Sequence, residues 1–259
     1  MFQRAAVLVV SCGAFLAGCG TGPLDENEEL LSNLVEAGFP AGDIELIDGT
    51  VYVQGDTHVS LQASREMLQG GEGSQEQYRT ASIIDPALVP KICLSPTTTF
   101  SSYPRLSQGL DQAITNYNAL GLCFTLARGP TTGCSATVSV YTTSGIEGEV
   151  GVPVGGRPSS RLGIGTGVAS YSLDFAEHVI THLLGHAFGL RHSDYYNRAI
   201  SCGGAATNEG AGSVGAIHIP GTPTMASVGG SLMNACYASN VTGEFTSTDI
   251  TALRTLFGC

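Results

Sequence analysis

The apolar positions of this chain change their period several times, and each change marks an element. Leu30, Leu31 and Leu34 recur at helical spacing, predicting a short amphipathic helix from Glu28 to Ala37 that Gly38-Phe39-Pro40 stops. Alternation takes over in DIELIDGTVYVQGD, which predicts two short strands around an Asp48-Gly49 hairpin turn. Another helix is expected over residues 58–68, before the polar, glycine-rich GGEGSQEQYRT marks a boundary. From about residue 80 the pattern is that of a mixed α/β domain. KICL, Phe124–Leu126, ATVSVY (136–141) and EVGVPV (149–154) read as strands, and RLGIGTG as an edge strand. Leu106, Leu110, Ala113, Ile114, Tyr117 and Leu120 follow Pro104 at helical spacing, with the proline suited to a first turn. Asp174 with Glu177 has capping-box spacing, and the helix it opens should reach about Phe188, where Gly189 stops it. A last helix is expected near Thr248–Phe257, with Ile250, Leu253, Leu256 and Phe257 inward.

The N-terminus carries a different signal. Arg4 precedes apolar runs from Ala5 to Val10 and Ala14 to Ala17, too short for a lasting membrane span. Residues 1–18 therefore read as a secretory signal, and Leu16-Ala17-Gly18-Cys19 matches a bacterial lipobox in which Cys19 is lipidated. The protein is expected to be exported and lipid-anchored to the bacterial cell envelope, at the outer membrane or cell surface; secretion is the alternative. Residues 19–79 then form an acidic tether with a small N-terminal α/β subdomain or pro-segment, and residues 80–259 the main domain.

Export changes the reading of the cysteines. With Cys12 in the signal and Cys19 lipidated, Cys93, Cys123, Cys134, Cys202, Cys236 and Cys259 remain, an even set that predicts three disulfides. Cys123 with Cys134 and Cys202 with Cys236 would each close a modest loop. The sequence leaves the pairing open. A net charge of -11 argues against a nucleic-acid partner, since an acidic surface repels phosphate.

The chemistry concentrates in ITHLLGHAFGLRHSDYYNR (180–198). On a helix His182 and His186 lie about 40° apart around the axis and one turn apart along it, so both imidazoles reach one ion. Gly189 permits a positive-φ turn that brings His192 back toward them. Three imidazoles leave a fourth tetrahedral position open on Zn2+, which is more typical of catalytic than of structural zinc.

His182-x-x-x-His186-x-x-Gly189-x-x-His192 matches the metzincin peptidase pattern except at its second position. With LLGHAFGLRHSD, GAIHIPGTPT (215–224), SLMN (231–234) and EFTSTDITALRTLF (244–257), the chain resembles the dual-action HEIGH metallopeptidases, the protease B family of bacterial exported enzymes. The likeness covers roughly residues 80–259 and is weaker in AGFPAGDIELIDGTVYVQGD. It implies an α+β, metzincin-like domain with a twisted mixed sheet, an active-site helix, a Met-turn and a C-terminal helix. It further implies that His182, His186 and His192 bind zinc, that Met233 underlies them in the Met-turn, and that the substrate or ligand is a peptide or protein. Asp194, just after the third ligand, is a candidate to orient an imidazole or else a surface turn residue.

The departure is Leu183. Family members carry Glu there, which takes a proton from the attacking water and passes it to the leaving amine. Leucine accepts no proton, and such a loss costs about 10²–10⁴ in rate. His178 shares a face with His182, but neither it nor Glu147, Glu149, Glu177 or Glu209 is a strong substitute base from sequence. Metal binding should survive while peptide-bond hydrolysis is weak or lost. The alternatives are a non-catalytic pseudopeptidase that binds a peptide or partner, and a zinc hydrolase needing no carboxylate base.

Overall fold

The computed structural model describes residues 26–36, 39–47, 49–53, 55–67, 77–210, 216–223 and 225–259. The signal segment, Cys19, most of the acidic tether, and Gly38 and Asp48 of the predicted turns lie outside them. Among the described residues no helix is long and apolar enough to cross a membrane.

The N-terminal region opens with helix α1 (Glu26–Glu36), followed by strands β1 (Ile44–Ile47), β2 (Thr50–Val53) and β3 (Thr57–His58), then α2 (Leu61–Met67) and β4 (Tyr78–Arg79). Leu30, Leu34, Phe39, Val51, Val53, Val59 and Ala63 form a small core of their own, which also takes in Val152 from the larger domain. Next come β5 (Lys91–Pro96), α3 (Thr98–Ser101), α4 (Pro104–Ala119), β6 (Thr125–Arg128), β7 (Ala136–Thr143), β8 (Gly148–Gly151) and β9 (Arg161–Gly165). The chain closes with α5 (Leu173–Phe188), α6 (Ala199–Cys202), β10 (Ile217–His218) and α7 (Ser247–Phe257).

One mixed sheet organises the molecule, in the order β1-β2-β3-β8-β9-β7-β5-β6. β6, β5, β7 and β9 are mutually parallel, whereas β8 runs antiparallel to β9. Parallel strands carry apolar residues on both faces because helices cover them, as the buried Ile92, Leu94, Val138, Val140, Leu162 and Ile164 show. Helices α4 and α5 pack on the sheet and on each other, joined where the Tyr117 hydroxyl donates to the Thr181 carbonyl at 3.1 Å. The fold is thus α+β with a mixed sheet, as expected.

Three sequence expectations need correction. RLGIGTG (β9) is an interior strand, because β7 pairs parallel along one side of it and β8 pairs antiparallel along the other. The cap of α5 is Ser172, whose hydroxyl accepts from the Phe175 N–H at 3.1 Å; Asp174 already lies in the first turn. The capping box belongs to α7, between Thr246 and Asp249. The disulfides join Cys93 to Cys134, Cys123 to Cys259 and Cys202 to Cys236. Only the last matches a favoured pairing; parallel pairing of β5 with β7 brings Cys93 beside the chain before β7, so Cys134 pairs there.

Candidate metal centre

Helix α5 is buried on every side, since it runs between the sheet and the C-terminal segments, and all residues from Phe175 to Phe188 are enclosed, the polar Glu177, His178, Thr181, His182 and His186 among them. Gly189 ends it in the left-handed region (φ 106°), and its N–H bonds back to the His186 carbonyl. The chain then turns, and Arg191 donates its N–H to the Tyr78 carbonyl at 2.8 Å, which brings His192 under the helix end. His182, His186 and His192 converge, each 1% exposed.

Each imidazole is held through Nδ1. His182 Nδ1 bonds the Leu232 carbonyl and His186 Nδ1 the Leu190 carbonyl, both at 2.9 Å, and His192 Nδ1 meets Glu209 Oε1 at 2.8 Å. With Nδ1 donating in all three, every Nε2 presents a lone pair inward. The three Nε2 atoms are separated by 3.1, 3.2 and 3.3 Å. Three lone pairs at that spacing repel unless a cation lies among them, and a tetrahedral metal with bonds of ~2.0–2.1 Å sets its ligand atoms about 3.3 Å apart. The residues fit a metal ion. Burial lowers the His186 imidazole to about 3, so it is a neutral ligand. Burial acts in the same sense on His192, but the Glu209 and Asp56 carboxylates outweigh it and raise that imidazole to about 10. Positive charge is favoured at this corner.

Met233 is buried against the same helix. A Cβ on Gly185 would come within 2.5 Å of the Met233 sulfur, so the glycine between the two helical histidines makes room for the thioether beneath them. The loop bearing Met233 is anchored by α7. Asp249 accepts from the Leu232 N–H at 2.9 Å and the Ser231 hydroxyl at 2.6 Å, and that hydroxyl accepts from the Met233 N–H. The C-terminal helix thus supports the carbonyl that orients His182.

Asp194 takes a different task from orienting an imidazole. It is fully buried, and its carboxylate accepts from the Ala235 N–H at 2.9 Å and from Ser201. It ties the loop after Met233 to α6, while Glu209 holds His192. Glu209 in turn lies 3.3 Å from Arg198 Nε and 3.8 Å from the buried Arg191.

Sequence reasoning missed Asp56. Its Oδ2 lies 3.4 Å from His182 Nε2, 3.6 Å from His186 Nε2 and 3.8 Å from His192 Nε2. These four residues form one group of potential metal ligands. Burial opposes ionisation, but the imidazoles hold the Asp56 carboxyl well below the usual carboxylate range. Tyr237 was missed as well: its ring lies 5.7 Å from the His182 ring, and burial raises its phenol, which stays an O–H donor. Nothing in local spacing announces Asp56, whereas Tyr237 follows Met233 closely enough to have been suspected.

Leu183 lines a cleft of about 310 Å³ together with Asp56, Glu147, His192 and Tyr237. Its side chain packs onto Gly148 at the start of β8 and is 1% exposed. The remaining candidates are engaged elsewhere. Glu177 accepts from Asn116 at 2.6 Å, Glu149 from Tyr52 and Tyr141, and His178 Nδ1 bonds the Thr242 carbonyl at 2.8 Å.

The sequence model of the dual-action HEIGH metallo-peptidase family matches residues 51–257. This chain belongs to that family. The match takes in β2, Asp56 and the whole histidine cluster. Among solved structures, one titled "Crystal structure of myroilysin" is 14% identical, with a TM-score of 0.43, covering 74% of this chain and 93% of the other. A second, "Structure of myroilysin", is 13% identical with a TM-score of 0.39, covering 65% and 93%. No curated protein matches the chain.

Proposed function

We propose that this family member is an exported, lipid-anchored zinc protein that retains the peptidase cleft, takes peptide or protein segments into it, and hydrolyses them weakly or not at all. The observation that carries the reading is Leu183. It occupies the position of the proton-transferring residue on α5, buried beside the metal ligands, and cannot accept a proton. A zinc ion on three imidazoles supplies Lewis acidity and an acidified water. Among the described residues Glu147 is the carboxylate left on the cleft wall without an assigned partner role, and it is exposed. The lipobox at Cys19 and the pairing of all six remaining cysteines support an oxidising, extracytoplasmic setting.

Hydrolysis of casein and of short peptides by the purified chain tests this, beside Leu183→Glu alone and combined with Asp56→Ala. The wild type should cleave about 10²–10⁴ more slowly than the double variant. A wild type as fast as the double variant would overturn the reading and point to Glu147 as a substitute base. Zinc analysis of each protein checks the ligands separately; metal-free wild type would sink the zinc assignment.

A further inference from the structure

Two adjacent apolar side chains stand in water at the end of the β1–β2 hairpin. Leu46 is 55% exposed and Ile47 50%. Alternation along a strand would send one of two neighbours inward, yet of β1 only Ile44 packs against the small N-terminal core. Strand β1 also ends the sheet, with β2 as its one neighbour among the described strands. Ile47 pairs with Thr50, so the two apolar residues are the last before the chain reverses. The hairpin end in turn lies beside the start of α1. Glu26 and Asn27, the first residues of that helix, line one cavity of about 480 Å³ together with Gly49 and Thr50 of the turn.

Cys19 of the lipobox precedes Glu26 by seven residues. Even fully extended, seven residues span at most about 25 Å. A lipidated Cys19 therefore holds the start of α1, and the hairpin end beside it, within that distance of the bilayer. We propose that this hairpin end docks on the lipid surface in which Cys19 is anchored, with Leu46 and Ile47 entering the interface. The proposal rests on the lipid-anchor reading above and adds which side of the molecule faces the membrane. Two half-exposed side chains bind a bilayer weakly by themselves, but tethering raises their effective concentration at its surface. The anchor thus brings the hairpin to the lipid, and the hairpin sets the orientation. Glu26, Glu28 and Glu29 of α1 and Asp43 and Glu45 beside the apolar pair share the sign of anionic headgroups. The lipid that suits this contact is therefore zwitterionic.

The chain contains no tryptophan, so Leu46→Trp places a single reporter at the hairpin end. The full chain, purified from bacterial membranes, is reconstituted into phosphatidylcholine vesicles with and without bromine on the acyl chains, which quenches tryptophan in the hydrocarbon. Leu46→Trp should lose about half of its emission or more to the brominated lipid, since interfacial apolar groups sit about 5–10 Å into the acyl boundary. Leu88→Trp, an exposed position before β5 and six strands along the sheet from β1, should keep its emission. Equal quenching at both positions, or none at Leu46→Trp in protein that floats with the vesicles, would overturn the proposal. A hairpin covered by a second copy instead would gain protection from acrylamide as protein concentration rises in detergent, which also counts against lipid. Protein that neither floats nor incorporates labelled fatty acid defeats the anchor reading, and the docking with it. Should Leu46→Trp misfold, Ile47→Trp provides the same readout.

Discussion

His192 takes its orientation from Glu209, a carboxylate seventeen residues along the chain and 98% buried. A buried carboxylate there fixes which ring nitrogen faces the candidate metal position and would polarise the imidazole toward a bound ion. Glu209→Gln keeps an oxygen that can accept the Nδ1 proton but removes the charge, so zinc affinity should fall about 10–100-fold with the fold intact. Competition with a chromophoric chelator measures this, and unchanged affinity would assign the orienting role elsewhere. Leu183 shows the converse. The residue type is plain from the sequence, whereas only the fold shows that its side chain packs onto Gly148.

At the scale of elements, α5 was legible because its start, apolar run and Gly189 stop are local signals; its cap shifted to Ser172 because a serine hydroxyl there reaches the Phe175 N–H. Glu177 sits in this helix at 4% exposure, where burial raises it to about 7 from an ordinary 4.5. Glu244 and Asp174 add to the rise, and the Asn116 hydrogen bond opposes it. A raised carboxyl favours the protonated folded state, so its contribution to stability is whole below pH 4.5 and is lost as the pH climbs through 7. Glu177→Gln keeps an acceptor for Asn116 and should equal wild type at pH 4. Above pH 7.5 it should be more stable by about 2 kcal/mol, allowing for solvent screening. Denaturation across that range checks the sign; a variant equally stable at both ends would show that Glu177 ionises normally. The edge assignment of RLGIGTG failed for a reason of the same scale: β8 folds back to pair antiparallel with it, and no local pattern states which strand takes that side.

At the scale of the whole molecule, three disulfides tie the described residues together, and Cys123–Cys259 joins the segment after α7 to the segment before β6. No periodicity could pair residues 136 apart in sequence, because tertiary approach decides it. The export reading makes its own prediction. With acyl chains contributing about 0.8 kcal/mol per buried CH₂, wild type expressed in a bacterium should partition into the detergent phase and incorporate labelled fatty acid. Cys19→Ala should be released in soluble form with the same melting temperature. Labelling that persists in Cys19→Ala would dismiss the lipobox.

The sequence by itself determined the three imidazoles that converge at the candidate metal centre, the leucine that stands between two of them and the strand–helix alternation, because spacing along a helix and a stop at glycine are local geometry. Tertiary structure alone decided what surrounds them. Glu209, Asp249 and Asp56 reach the centre from segments distant in sequence, through a buried loop, a helix start and a strand added to a sheet edge. A carboxylate in VYVQGD reads as a turn residue until β3 pairs with β8, and that pairing sets it facing the histidines.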